Sequence, residues 1–200
     1  MQHPGPLLID LQAQRLFSWL ATPWLTDASL LLAEVGDKAG IITLVAPWAL
    51  WLLLVKRIDL LAHGALALGG IGALNTLGKA VFARARPDTP DYLVGSFSYP
   101  SAHTSTWVVV VGITAAFVAS QMPRQRRMWV YWLAIAITIP MALSRLIIGV
   151  HWLSDLMGGV LLSLVVCALV QLNWQRRYRP PLPSFPWLGL LLGSLLLISL

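Results

Sequence analysis

The sequence predicts an all-α, polytopic membrane bundle of about six transmembrane helices, with an N-terminal amphipathic interfacial helix. Three observations carry this. Of the 200 residues, 58% are hydrophobic and only 11% charged, and the mean hydropathy is +0.74. A soluble domain of this size would expose far more Lys, Glu and Asp. Apolar stretches recur at close to the roughly 20 residues that a helix needs to cross a hydrocarbon core of about 30 Å. The basic residues cluster in alternate loops, as expected of a chain that crosses a bilayer repeatedly.

Residues 1–38 are expected to form the interfacial segment. Asp10, Gln12, Gln14 and Arg15 interrupt its apolar pattern, while Leu8, Leu11, Leu16, Trp19 and Leu20 keep a partly helical spacing. Glu34, Asp37 and Lys38 close it with a polar boundary. The transmembrane domain then covers 39–200. Its spans are expected at about 39–55, 58–78, 104–121, 128–148 and 153–172, followed by a shorter apolar segment, Pro186–Leu200. The single cysteine, Cys167, lies inside a span and reads as a packing residue. No signal peptide is visible at the start.

The loop charges set the orientation. Lys56 and Arg57, then Arg124, Arg126 and Arg127, then Arg176, Arg177 and Arg179 fall in alternate loops and so share one face. The positive-inside rule makes that face cytoplasmic. The net charge of +6 thus reflects topology, and nucleic acid is not an expected partner. Lys79, Arg84, Arg86 and Arg145 lie on the opposite face, against that preference. They need another reason to be there.

Three short patterns fall on that outer face. Lys79 and Arg86 are seven residues apart, so two helical turns would bring them to one side, and Pro87 ends the segment. Two cations there suit an anion, and the planar fork of Arg matches phosphate oxygens. Taken alone, the pair could equally be an interfacial anchor. Pro100-Ser101-Ala102-His103 opens the 104–121 span, with Ser101 a candidate N-cap. The free amides of that first turn can hold a phosphate, with His103 beside it. Ser144-Arg145 leads, after five intervening residues, into His151 and Asp155, four apart and so on one helical face. A carboxylate that accepts the Nδ1 proton of an imidazole leaves Nε2 free to attack. Read singly, each pattern also has a structural explanation, such as a hydrogen-bonded histidine or a capping aspartate.

Together, in this order and on one face, they resemble the signature of the type 2 phosphatidic acid phosphatase superfamily: Lys-x6-Arg-Pro, Pro-Ser-Gly-His and Ser-Arg-x5-His-x3-Asp. That family includes lipid phosphatases, glucose-6-phosphatase and the soluble vanadium haloperoxidases. The resemblance covers about residues 39–172. One fixed position differs, with Ala102 in place of glycine. Alanine keeps the N–H and would matter only if the backbone there needed a positive φ. Membrane members usually have a span ahead of the one at 39–55, a place that Pro186–Leu200 would fill if the chain is not a piece of a longer one.

The resemblance implies a phosphatase with His151 as nucleophile, Asp155 orienting it and His103 as the acid that protonates the leaving group. Lys79, Arg86, Ser101, Ala102 and Arg145 would bind phosphate. It implies no metal and no cofactor, and a bell-shaped pH dependence. The expected partners are the bilayer and a lipid phosphate or pyrophosphate, with the head group on the periplasmic face of an inner membrane. The motifs see only phosphate, so undecaprenyl pyrophosphate, phosphatidic acid, phosphatidylglycerol phosphate and lipid A phosphates all qualify. A phosphotransferase would use the same residues. A lipid carrier or scramblase would need the cations but not the paired histidines.

Overall fold

A computed structural model describes residues 5–88, 90–176 and 194, and these are helical apart from their connections. Seven α-helices follow in order: α1 (Leu8–Leu20), α2 (Pro23–Gly36), α3 (Lys38–Leu54), α4 (Ile58–Phe82), α5 (Ala102–Ser120), α6 (Arg124–Ile147) and α7 (Leu153–Gln175). One 3-10 turn, Asp91–Leu93, lies in the α4–α5 connection.

Helices α4, α5, α6 and α7 are each long and apolar enough to cross a membrane. They sit within a few residues of the expected spans. The 39–55 span is different. Helix α3 covers it but reaches the required length only together with α2, from which it is bent by 57°. The described residues therefore hold four spans, or five if the bent pair counts as one, against the six expected. The expected sixth segment, Pro186–Leu200, lies outside the described residues except for Ser194, whose hydroxyl donates to the carbonyl of Leu44 in α3 at 3.1 Å.

The bend has a local cause. Asp37 is extended (φ −75°, ψ −178°), and its carboxylate accepts the N–H of Gly40 at 2.7 Å, starting a fresh helix. A Cβ on Gly40 would collide with the carbonyls of Glu34 and Val35, and one on Gly36 would lie 2.7 Å from the sulfur of Met141. The two glycines thus permit the sharp turn and its close seat on α6. Pro23–Gly36, within the segment expected at the interface, forms the first arm of this bent pair and packs on α5 and α6.

Helix α1 is amphipathic in a sense suited to lipid. Asp10 and Ala13 are buried, while Leu8, Leu16 and Trp19 face outward. At 13 residues it is about 20 Å long, too short to cross. It lies against α6 and α7.

The core is built from α4, α5 and α7. Ala67 and Ile71, Val109 and Ile113, and Val166 and Cys167 form one buried cluster, which gives Cys167 the packing role expected of it. Toward the mouth the contacts turn polar. Ser105 donates to Asn75 Oδ1 at 3.0 Å, and Ser163 donates to the Ser105 carbonyl at 2.8 Å. These hydroxyls cross-link three helices where the alternative is an unpaired polar group in hydrocarbon. Antiparallel succession brings the α4–α5 connection and the α6–α7 connection to one end of the bundle.

Candidate active site

The α4–α5 connection folds back because α4 ends early. Helix stops at Phe82, and Ala83 takes a left-handed conformation (φ 44°, ψ 38°), its N–H still bonded to the Lys79 carbonyl. Arg86 therefore does not lie two helical turns above Lys79, as the spacing suggested. The two cations still meet, because both donate to the carbonyl of Phe97. The returning chain secures this: the Ser98 N–H donates to the Arg84 carbonyl at 2.8 Å, and the Ser98 hydroxyl to the Ala85 carbonyl at 3.1 Å.

Small residues admit the next segment. A side chain on Gly158 would overlap the ring of Tyr99, reaching 2.5 Å from its hydroxyl oxygen. One on Gly78 would lie 2.7 Å from Pro100 Cδ, and one on Gly159 3.0 Å from the Ser101 carbonyl. Residues 99–101 are thus clamped between α4 and α7, and this seats the N-terminus of α5. Ser101 occupies the N-cap position, but its hydroxyl is fully buried and shared with Thr104 at 3.1 Å. Its N–H donates to the Asp155 carbonyl at 3.1 Å. Ser101 consequently offers little to an anion as the chain stands. The amides of Ala102, His103 and Thr104, in the first turn of α5, have no acceptor within the helix. Ala102 is an ordinary helical residue: among the described residues, the non-glycine residues with positive φ are Lys56 and Ala83.

Between α6 and α7, Gly149 turns at φ 81°, which a Cβ would resist. The next residues deliver His151. Its Nδ1 lies 3.3 Å from Asp155 Oδ2, and its Nε2 lies 3.2 Å from Nη1 of Arg86. Asp155 also accepts the Trp152 N–H at 2.9 Å. A carboxylate on one ring nitrogen and a guanidinium donor on the other fit the neutral tautomer with the proton on Nδ1. Burial pulls the imidazole down to about 4, against the opposing pull of Asp155 and with the help of Arg86 and Arg145. At neutral pH the ring is uncharged and Nε2 carries a lone pair.

Arg145, in the last turn of α6, is buried at 2% exposure. His103 lies within electrostatic reach of Arg145, His151 and Arg86, and His151 within that of Arg86, Asp155 and Arg145. Lys79 feels both Arg86 and Asp155. Lys79, Arg86, His103, Arg145, His151 and Asp155, drawn from four helices and two connections, are thus brought near one another at this end of the bundle. The Ala33 carbonyl, near the end of α2, lies beside the imidazole of His103.

Sequence reasoning missed three participants. Arg84 was visible only as a cation on the wrong face, yet its Nη1 donates to Asp155 Oδ1 at 2.8 Å and its Nη2 to Asp10 Oδ2 at 2.6 Å. Asp10 read as a polar interruption of an interfacial helix. Its only signal was the rule that an acid at a membrane needs a partner. Ala33 carried no signal, since a backbone carbonyl has no residue type.

Comparison with known proteins places this arrangement. The chain is 27% identical over 152 residues to phosphatidylglycerophosphatase B of Bacillus subtilis, covering 74% of this chain and 75% of that one. It is 27% identical over 164 residues to the putative undecaprenyl-diphosphatase YbjG of Escherichia coli, covering 78% and 76%. The crystal structure of the transmembrane PAP2 type phosphatidylglycerolphosphate phosphatase from Bacillus subtilis superposes with a TM-score of 0.75 at 25% identity, over 85% of this chain and 86% of that one. With its all-helical membrane fold and with residues 60–179 matching the family's sequence model, the chain belongs to the PAP2 superfamily.

Proposed function

We propose that this multi-pass membrane phosphatase hydrolyses a lipid phosphate or pyrophosphate without a metal, through a phosphohistidine on His151. The observation that carries the reading is the state of His151: neutral, its Nδ1 on Asp155, its Nε2 turned toward Arg86 among further cations. In this mechanism a phosphoryl oxygen takes over the Arg86 donor, and Nε2 attacks phosphorus in line. Arg86, Arg145 and Lys79 neutralise the charge that builds on the equatorial oxygens, with the first amides of α5 completing the cradle. His103 gives its proton to the leaving oxygen. It then takes a proton from the water that cleaves the phosphorus–nitrogen bond, freeing phosphate and restoring both histidines. Asp155 holds the ring throughout.

The site lies at the end of the bundle opposite the loops of Lys56 and Arg57 and of Arg124, Arg126 and Arg127, and the positive-inside rule supports an outward-facing site, with a bacterial inner membrane as the preferred setting. The relatives are named for phosphatidylglycerol phosphate and undecaprenyl diphosphate, which supports both as substrates here, beside phosphatidic acid and lipid A phosphates. Residues 90–99, with Val94 and Phe97 exposed, border the mouth where an acyl or prenyl chain would enter.

The test is phosphate release by the purified chain on a panel of these lipids in EDTA, beside His151→Ala. Activity in EDTA and a loss on the order of 10⁴-fold in the variant are expected. Activity abolished by EDTA and restored by Mg²⁺ would overturn the metal-free mechanism.

A further inference from the structure

Arg84 stands two residues before the phosphate-facing Arg86, but it faces the other way and both terminal nitrogens of its guanidinium are committed. Nη1 donates to Ser154 Oγ at 2.6 Å and to Asp155 Oδ1 at 2.8 Å. Nη2 donates to Asp10 Oδ2 at 2.6 Å and to the Gly5 carbonyl at 3.2 Å. Its face lies 5.8 Å from the Trp152 ring. Arg84 is 5% exposed, Asp10 1% and Asp155 0%. One cation thus bridges two buried carboxylates, one of them the partner of His151.

Asp10 does more than balance charge. It comes from α1, yet Oδ1 accepts the Ser154 N–H at 2.8 Å and Oδ2 the Ser154 hydroxyl at 2.9 Å. Ser154 lies in the first turn of α7, so Asp10 caps from outside the helix that presents Asp155. Its own N-terminal turn adds the Leu7 N–H at 2.8 Å. Burial pushes this carboxyl up, but these hydrogen bonds outweigh it and hold the group below the usual carboxylate value.

We propose that Asp10 and Arg84 are positioning residues which, through Asp155, fix the aim and basicity of His151 and make turnover depend on the seating of helix α1. The role presupposes His151 as the attacking group. Each link is a charge-assisted bond in a site from which water is largely excluded, where such bonds act most strongly. A guanidinium is needed because an ammonium cannot reach both carboxylates in a fixed plane. The surface helix is thereby wired to the chemistry through three side chains.

The electrostatics give a signature that mere anchoring of α1 would not. Facing His151 are Arg86 from the α4–α5 connection, His103 from α5, Arg145 from α6 and Asp155 from α7. Arg84, Asp10 and Lys79 stand behind these. Asp10→Asn leaves the Arg84 charge uncompensated, which disfavours protonation of His151 and moves the acid limb of kcat/KM to lower pH. Arg84→Gln leaves Asp155 uncompensated and moves that limb to higher pH.

The experiment measures phosphate release from dioctanoyl phosphatidic acid across pH, using the full chain in detergent. Asp10→Asn, Arg84→Gln, Arg84→Lys and Asp155→Asn are compared with the native protein, and folding is checked by thermal melting. Expected are kcat losses of about 10-fold for Asp10→Asn and about 10²-fold for Arg84→Gln, on the scale of lost supporting contacts. KM stays within about twofold, and the acid limb moves in opposite directions in the two variants. Arg84→Lys recovers the limb position but not the full kcat. If Arg84→Gln or Asp10→Asn does not fold, Arg84→Lys still decides, since native kcat there rules out the two-carboxylate clamp. Folded Asp10→Asn and Arg84→Gln variants with native kcat and an unmoved limb would overturn the proposal while Asp155→Asn stays inactive. If Asp155→Asn were fully active, the reading of His151 would fall first and this one with it.

Discussion

At the mouth of the bundle, Arg84 and Arg145 are buried and Arg86 is half-buried, each set among the side chains of the site. At the far end, Arg124, Arg126 and Arg127 stand exposed, and Arg127 donates locally, to the Met122 carbonyl at 3.0 Å. The residue type is the same and the energetics are opposite. Removing a guanidinium from water costs several kcal/mol unless partners replace the hydration, so a buried arginine implies a partner or an anion to come. An exposed one costs nothing and serves topology through its charge alone. The far end also shows an intermediate case: Arg57 is paired with Asp59 at 2.8 Å in a half-buried helix start.

The sharpest way to break this contrast is to make the same change at both ends. Arg145→Lys retains the charge but loses the fork that, in the proposed mechanism, spans two phosphoryl oxygens, and should cut kcat by about 10²–10³-fold. Arg126→Lys should leave kcat within about twofold. Equal losses in the two would mean that burial is no guide to function here.

A second test uses pH. His151 has its folded value held near 4, below the ordinary 6.5, so the unfolded chain binds more protons between those values. This group's contribution to stability is therefore complete above about pH 6.5 and is lost as pH falls through 4. Melting temperature should decline across that window, and His151→Gln should flatten the decline. The exposed far-end arginines stay charged throughout, so Arg126→Gln should leave the slope as it is.

What the sequence disclosed follows the same division. The helices α4 to α7 were legible because lipid demands long apolar runs, and their observed limits lie within a few residues of those read from hydropathy. The grouping of Lys79, Arg86, His103, Arg145, His151 and Asp155 was legible because the family's motifs set those residue types at fixed spacings. The break at Asp37 was not, because a bend made by Gly36 and Gly40 depends on what each glycine approaches in space. Nor was the left-handed turn at Ala83, which moves Arg86 off the helix. The Asp10–Arg84 pair joins residues 74 apart, a separation at which no periodicity operates.

Packing gives a smaller effect. Gly158→Ala forces a methyl into the ring of Tyr99 and should destabilise the chain by about 1–3 kcal/mol, read as a lower melting temperature. Gly72→Ala meets nothing within 4 Å and should be neutral or slightly stabilising, since alanine favours helix by about 0.5–1 kcal/mol. Equal melting temperatures would mean that the clamp on residues 99–101 yields easily and does not fix the start of α5.

The smallest effect is expected at Ala102, where the family pattern has glycine. It is the first residue of α5, its φ is not in the positive region, and an alanine there presents its N–H as a glycine would. Restoring glycine adds only backbone freedom to be lost on folding. Ala102→Gly should therefore change phosphate release by less than about twofold and lower the melting temperature slightly. A tenfold gain would show that the alanine methyl crowds the bound phosphate or resists a backbone change on binding. The anion cradle would then be a shape that the first turn of α5 adopts only with substrate.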